Sequence, residues 1–537
     1  VPGADEYRAM PDVARPRRLG GALAVGLGIF LSRVAGLVRE RAIAHYLGIS
    51  AAAGAFRAAL RIPNLLQNLL GEGVLSASFI PVYARLLAEG RHEDASRVAR
   101  AVGTLLALVA SLVALLGVIA AEGLVDLLAP GFHGESRELT ITLVRILFPG
   151  VALLVMSAWC LGVLNSHRRF FLSYVSPVLW NAALVATAII AGRRLAGYDA
   201  DIAIWLAWGA VIGSAAQFAI QLPAVIVLLR GLRPSLAVRD DGVQTTLRAF
   251  VPVLLGRGSV QLSGYIDQVL ASFLGEAIVA AMFNAQTLYL LPVSLFGMAI
   301  SAAELPEMSS ATGDDRARAE HLQQRLASAL RRVVFLVVPS AIAFIAIGGP
   351  IVALLFQTGR FGARDTEVVW IILAGSAIGL SAGTQGRLLG SAFYALGDQQ
   401  PPLHAALVRV AITGVLGWAF ALPVREWLGY SVTWGAFGLT ASAGFAAWIE
   451  LVLLERWLSR RIGKVPIPTR LGLGALAAAA LAGAGGFAAA RIASALGLES
   501  WATGLVAVPV FGATYLGIMI VARVPETNAL ARRLSRR

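Results

Sequence analysis

Apolar runs of about twenty residues recur along this chain from Leu19 to Val521, each long enough to cross a hydrocarbon core roughly 30 Å thick. In lipid every backbone N–H and C=O must be satisfied within the structure that carries it, which leaves helices or closed barrels as the spanning forms. Barrel strands are about half this length and alternate in polarity, as these runs do not. Composition agrees: 58% of residues are hydrophobic and 14% charged, with a mean hydropathy of +0.74, where a soluble domain carries roughly a quarter charged residues. The expected fold is an all-α polytopic membrane protein of about fourteen transmembrane helices.

The runs predict spans near 19–47, 51–88, 94–128, 137–166, 170–192, 201–230, 243–274, 278–310, 318–347, 366–396, 401–421, 431–457, 469–495 and 501–523. Several exceed the hydrocarbon thickness, so tilting or extension beyond it is expected. No small-residue cleavage site follows the first run, which therefore reads as a retained helix. Orientation follows from the arginines. They crowd the N-terminal tail (Arg8, Arg15, Arg17, Arg18), then alternate connections (Arg85 to Arg100, Arg168 and Arg169, Arg230 to Arg239, Arg316 to Arg325, Arg456 to Lys464), and finally the tail from Arg532 to Arg537. The intervening connections are poorer in bases or carry acids such as Glu122, Asp126, Glu135 and Glu138, with Arg193 and Arg194 as exceptions. By the positive-inside rule the basic side is cytoplasmic, and an even number of spans puts both termini there.

The net charge of +14 is spread over these connections and is not a nucleic-acid footprint. Only one of the 45 basic residues is a lysine, Lys464. The single cysteine, Cys160, excludes an intramolecular disulfide and sits in an apolar run as a small core residue.

A weak internal repeat divides the chain. The stretch from Gly36 through Pro63 to Pro81 is echoed from Gly264 through Pro292 to Pro306, and the connection Asn165-Ser166-His167-Arg168 by Leu396-Gly397-Asp398-Gln399. Corresponding segments start on the same side of the membrane, which implies two pseudo-symmetric six-helix lobes with two extra helices at the C-terminus. The expected divisions are a cytoplasmic tail 1–18, an N-lobe 19–235, a C-lobe 236–462, a C-terminal pair 463–525 and a tail 526–537. Paired lobes around a midplane cavity are a secondary-transporter plan.

Ionisable groups within spans cost about 2.5–3.5 kcal/mol each at a helix centre, so they need partners or a wet cavity. The first span carries Arg33, Arg39, Glu40 and Arg41, the second Arg57, Arg61 and Glu72, the seventh Arg257 and Asp267, and the eighth Glu304 and Glu307. Arg57 and Arg61, four apart, share a helix face. Arg33 and Arg39 are six apart and diverge unless the helix bends, for which Gly36 offers a place. Arginines facing a cavity suit an anionic, phosphate-bearing substrate, because a guanidinium stays ionised and offers paired donors; snorkelling from helix ends is the alternative, above all for Arg41 and Arg61. Asp267 is a candidate coupling carboxylate, or a charge partner like Glu40 and Glu72. Pro63, Gly71 and Gly73 should interrupt the second span and serve with Gly36 as hinges. No metal-ligand cluster, phosphate-cradling loop or nucleophile–base pair is present at recognisable spacing, so no enzyme chemistry, cofactor or metal is expected. A coupling ion or the membrane potential is left open as the drive.

Ser32-Arg33-Val34-Ala35-Gly36-Leu37-Val38-Arg39-Glu40, Arg61-Ile62-Pro63-Asn64-Leu65-Leu66, Gly71-Glu72-Gly73 and Ser78-Phe79-Ile80-Pro81 resemble the N-terminal signature of the MurJ (MviN) family. That family belongs to the multidrug/oligosaccharidyl-lipid/polysaccharide exporter superfamily. Phe356-Gln357-Thr358-Gly359-Arg360-Phe361 and Phe393-Tyr394-Ala395-Leu396-Gly397-Asp398 extend the similarity through at least twelve spans. The resemblance implies a lipid II flippase of the bacterial inner membrane with two six-helix lobes and two C-terminal helices forming a groove for the polyprenyl tail. It places the family's first-span arginines on Arg33 and Arg39, and the acid after them on Glu40. Four family positions diverge: the second-span acid falls on Gly54, an arginine after it on Gln67, and the eighth-span Asp-Arg pair on Gln286 and Thr287. Arg57 and Arg257 stand where typical members have uncharged residues, and the expectation is that they restore the positive potential. The expected partners are lipid II or a related polyprenyl-linked glycan, membrane lipids and cell-wall synthesis proteins. The rival expectations are an exporter of another glycan precursor or an amphipathic drug, and a non-transporting cell-wall scaffold of the same fold.

Overall fold

The computed structural model describes residues 18–231, 233–310 and 314–527. The side chains of Glu72 and Arg257, both candidate site residues, lie outside what is described, as do most of the two expected tails. All regular structure among the described residues is helical. The first half contains α1 (Arg18–Leu47), α2 (Ala51–Leu70), α3 (Glu72–Ala88), α4 (His92–Ile119), α5 (Ala121–Leu128), α6 (Gly134–Ser166), α7 (Phe170–Arg194) and α8 (Asp199–Leu228). The second half begins with α9 (Asp241–Ser272), α10 (Glu276–Pro292), a π-helical stretch Val293–Met298 and α11 (Ala299–Ser309). It continues through α12 (Asp315–Ala346), α13 (Gly348–Phe356), α14 (Ala363–Ala377), α15 (Leu380–Ala395), α16 (Gln400–Ala421), α17 (Pro423–Leu428) and α18 (Val432–Ile462). Two further helices, α19 (Thr469–Ala495) and α20 (Ser500–Val521), close the chain.

Eleven spans among the described residues are long and apolar enough to cross a membrane, and the bent pair α14–α15, kinked by 43°, makes twelve. The expected fourteen also counts α1 and α9, 30 and 32 residues long, each of which includes side chains outside those described. Where the elements differ from expectation, the causes are local. The second span breaks at Gly71, which leaves the helical region at φ −89°, ψ −147°, whereas Pro63 lies inside an unbroken α2. A proline forfeits one intrahelical bond, and a span with every other backbone group bonded internally absorbs that loss. Gly36 and Gly73 likewise sit within continuous helices. The short helices α13 and α17 fall in connections between the expected spans.

Polar caps mark several helix starts. Ser50 accepts from Ala53 N at 3.3 Å, Asp240 from Gly242 N at 2.9 Å and Asp314 from Ala317 N at 2.8 Å. The first half packs around two apolar clusters, one built on Phe56, Phe148 and Leu206, the other on Phe79, Tyr83 and Trp159. The second half packs around one cluster centred on Leu330, Phe356 and Phe393. Helices α19 and α20 pack on each other and against α12 and α13, with Tyr515 donating to Phe335 O at 2.7 Å. The two halves touch along α2 with α10 and α3 with α9.

Candidate functional site: a cationic cavity between the halves

Where α2 faces α9, α10, α15, α16 and α18, the helices part around a cavity of about 580 Å³. Its first-half wall carries Arg57 and Arg61, one helical turn apart on α2. Opposite are Asp267 and Gln268 from α9, Gln286 and Tyr289 from α10, Arg387 from α15 and Arg409 from α16.

Behind Arg57 lies a buried ion network. Glu40, 1% exposed, accepts from both Arg39 and Arg57, with Arg39 Nε at 2.8 Å. Arg39 also donates to Asn181 Oδ1 at 2.8 Å and lies over the Trp180 ring at 4.8 Å. Arg57 is stacked over Phe283, with its guanidinium carbon 4.2 Å from the ring centroid, and its Nη1 is buried without a hydrogen-bonding partner among the described residues. Two cations sharing one carboxylate leave a net positive charge there, held by packing and by cation–π contact.

Arg61 donates to Gly264 O at 2.6 Å and lies in electrostatic range of Asp267. Asp267 lies in electrostatic range of both Arg61 and Arg409, and its Oδ1 is buried without a hydrogen-bonding partner among the described residues. Both amide atoms of the buried Gln268 beside it are also unpartnered. Arg409 donates to Glu450 Oε2 at 2.9 Å. The wall thus carries charges of both signs, Arg61, Asp267, Arg387 and Arg409, with the unpartnered atoms of Arg57, Asp267 and Gln268 buried within it, a lining suited to an ionised, oxygen-rich ligand.

The structure brings Arg39, Glu40, Arg57, Arg61 and Asp267 together around this space. Arg33 is exposed on α1 and does not line it. Arg41 instead donates to Leu354 O and Leu355 O at 2.8 and 3.1 Å. Among the positions that depart from the family pattern, Gln286 lines the cavity, and Thr287 donates to Phe283 O at 3.0 Å within its own helix. Gly54 has a packing reason: a Cβ there would overlap the carbonyl oxygen of Glu276, so α2 and α10 cross where an acid has no room. Sequence reasoning missed Arg387, Arg409, Glu450 and Asn181. The available signal for the first three was an ionisable residue inside an apolar run.

On the face opposite the arginine-rich connections, the halves are fastened together. His45 Nδ1 lies 2.9 Å from Thr358 Oγ1, and Arg360 N donates to His45 O at 2.8 Å. Arg360 also forms an ion pair with Asp199. Gly359 allows this approach: its φ is 56°, and a Cβ would overlap His45 O. Gly131 N donates to Ser272 Oγ at 3.0 Å nearby.

Fold and site together define a polytopic helical membrane protein with a cationic cavity between two groups of helices. The family model described as lipid II flippase MurJ matches residues 43–512. A lipid II flippase MurJ of Burkholderia cenocepacia is 33% identical over 438 residues, covering 80% of this chain and 82% of the relative. A probable lipid II flippase MurJ of Haemophilus influenzae is 28% identical over 446 residues, covering 80% and 84%. The chain belongs to the MurJ family. Among solved structures, lipid II flippase MurJ in an inward closed conformation matches with a TM-score of 0.75 at 20% identity, covering 93% of this chain and 99% of that one. An inward-facing multidrug resistance MATE family transporter matches with a TM-score of 0.65 at 18% identity, covering 82% and 98%. At such identities the likeness establishes the shared fold.

Proposed function

We propose that this protein is a flippase that moves lipid II, a polyprenyl-pyrophosphate-linked peptidoglycan precursor, from the cytoplasmic to the outer leaflet by alternating access. The observation that carries this reading is the cavity, where guanidinium groups from both halves meet at a space of about 580 Å³. Diphosphate oxygens would be gripped there by Arg57 and Arg61, backed by Arg39 through Glu40. Arg33 and Arg257 belong to the same reading as arginines that attract the head group before it enters.

In this proposal both termini are cytoplasmic, the lobes 19–235 and 236–462 rock against each other, and the lipid tail stays in the bilayer along 463–525. The break at Gly71, the π-helical stretch Val293–Met298 and the bend between α14 and α15 supply places to flex. The contacts of His45 and Asp199 with the Thr358–Arg360 loop would hold the outer side shut while the head group enters from the basic side. Rocking requires a substrate or ion that interacts differently with the two states. Asp267, with one oxygen unpartnered among the described residues, is the candidate coupling group.

The test is to express the chain in a bacterial strain depleted of its own flippase and to measure lipid II exposed on the outer leaflet. Restored growth with restored exposure is expected. Normal membrane insertion without exposure would sink the proposal in favour of a scaffold. The uncharged Gln286 and Thr287 favour a second reading, export of a related polyprenyl-linked glycan, which mass spectrometry of co-purified lipid distinguishes.

A further inference from the structure

On the face opposite the arginine-rich connections, the seam between the halves is closed in two layers. The upper layer is made by His45 with Thr358, Arg360 with Asp199, and the crossing of Gly54 on the Glu276 carbonyl. Helix α2 starts at Ala51 and α10 at Glu276, both at this face. Arg57 and Phe283 lie six and seven residues further in, about 10 Å along each helix axis. There the guanidinium carbon of Arg57 sits 4.2 Å from the centroid of the Phe283 ring. Beneath this pair the cavity continues, with Arg61 on α2 and Gln286 on α10 each about one turn deeper.

Ions tie Arg57 to its own half, and an aromatic ring meets it from the other. Its Nη2 donates to Glu40 on α1, which also accepts from Arg39. Arg39 is held in turn by α7, through Asn181 Oδ1 at 2.8 Å and the Trp180 ring at 4.8 Å. All of these residues belong to the first half. Phe283 comes from the second half and is uncharged, so the stack can part without breaking an ion pair. With the halves together, Arg57 is 3% exposed and its Nη1 has no hydrogen-bonding partner among the described residues. A buried donor left in that condition is costly. The closed seam is therefore less stable than it could be, and parting the halves lets water reach the donor.

We infer that Phe283 is the inner gate of the outer face: it closes the seam by covering Arg57 and lifts off when the halves part, while the Arg39–Glu40–Arg57 network stays whole within the first half. This rests on the alternating-access reading and names the contact that must break on that side. A cation–π stack suits a seal that opens repeatedly, because it is worth more in a dry seam than at a wetted surface. On opening, the guanidinium is hydrated and still paired with Glu40. An ion pair across the same seam would instead leave an uncompensated charge on each half.

The test uses the full-length protein in intact cells, with Gln286→Cys as a cavity reporter one turn beneath Phe283 and an impermeant thiol reagent added outside. The single native cysteine, Cys160, is buried. The labelling rate follows the fraction of time that the outer face is open. Phe283→Leu, which keeps apolar bulk but loses the ring face, should raise that rate about tenfold, the change expected when a desolvated cation–π contact is lost. Phe283→Tyr keeps the ring and should stay within about twofold of the unsubstituted protein. In an Arg57→Gln background, Phe283→Leu should add no further increase. An unchanged rate with Phe283→Leu would overturn the gate, and so would an equal rise whether Arg57 is present or replaced. A reporter that the outside reagent never reaches, in any variant, would instead overturn the alternating-access reading beneath it.

Discussion

Glu40 holds two guanidinium groups at once in a site that is 1% exposed, so replacing it with glutamine leaves Arg39 and Arg57 buried against a neutral amide. Removing one partner of a buried ionic network costs about 3–5 kcal/mol. Glu40→Gln should therefore lower the thermal unfolding midpoint in detergent, and Glu40→Asp should recover part of it. An unchanged midpoint for Glu40→Gln would show that the network contributes nothing to holding α1 on α2. His167, between α6 and α7, makes a different prediction. Its Nε2 lies 2.9 Å from the Tyr83 hydroxyl, and burial, with Arg169 and His92 nearby, pushes its pKa below the ordinary 6.5. Above 6.5 the ring is neutral folded or unfolded; as pH falls, the unfolded chain takes up the proton first. The stability tied to this ring is thus intact above 6.5 and lost as pH falls through the lower folded-state value. Melting at pH 7.5 and 5.5 should show a drop that His167→Gln reduces.

Single elements carry the contacts that would open and close the molecule. The loop from Gln357 to Gly362 joins α13 to α14, and its Thr358 and Arg360 bind His45 of α1 and Asp199 at the start of α8. These contacts form at an exposed face, where surface ion pairs are worth about 0–1 kcal/mol, so they suit a latch that opens repeatedly. Thr358→Ala combined with Arg360→Ala should expose the cavity from the outer side. The chain's single cysteine, Cys160, is buried in α6, so a Ser376→Cys reporter on the cavity wall should react with an impermeant thiol reagent against a low background. Labelling from outside that is equal with the latch intact and broken would remove these contacts from the closing of that face. Gly359 explains why this element must be a tight turn: only a residue at ease with positive φ and lacking a Cβ lets the loop backbone reach His45.

At the scale of the whole molecule, the order and length of the helices were legible because lipid imposes one rule on every span: backbone groups must be satisfied internally over about twenty apolar residues. Each of the fourteen expected segments corresponds to a helix or a broken helix. The misplaced break at Pro63 and the unforeseen α13 and α17 are local departures from that rule. The candidate site was legible only in part. Arg39, Glu40, Arg57, Arg61 and Asp267 stand out in the sequence because charge in an apolar run is costly. That Glu40 bridges Arg39 and Arg57, that Arg409 is neutralised by Glu450 41 residues later, and that Arg387 has no ion pair among the described residues depend on which helix faces which. Gly54 makes the same point: read along the chain it is a lost charge, and in the structure it is the place where α10 crosses α2. Span length, span order and the presence of intramembrane cations follow from the sequence because they are properties of a segment in a lipid solvent. The pairing of those cations, and therefore which of them remain free to bind, is a property of helix packing, which only the tertiary structure decides.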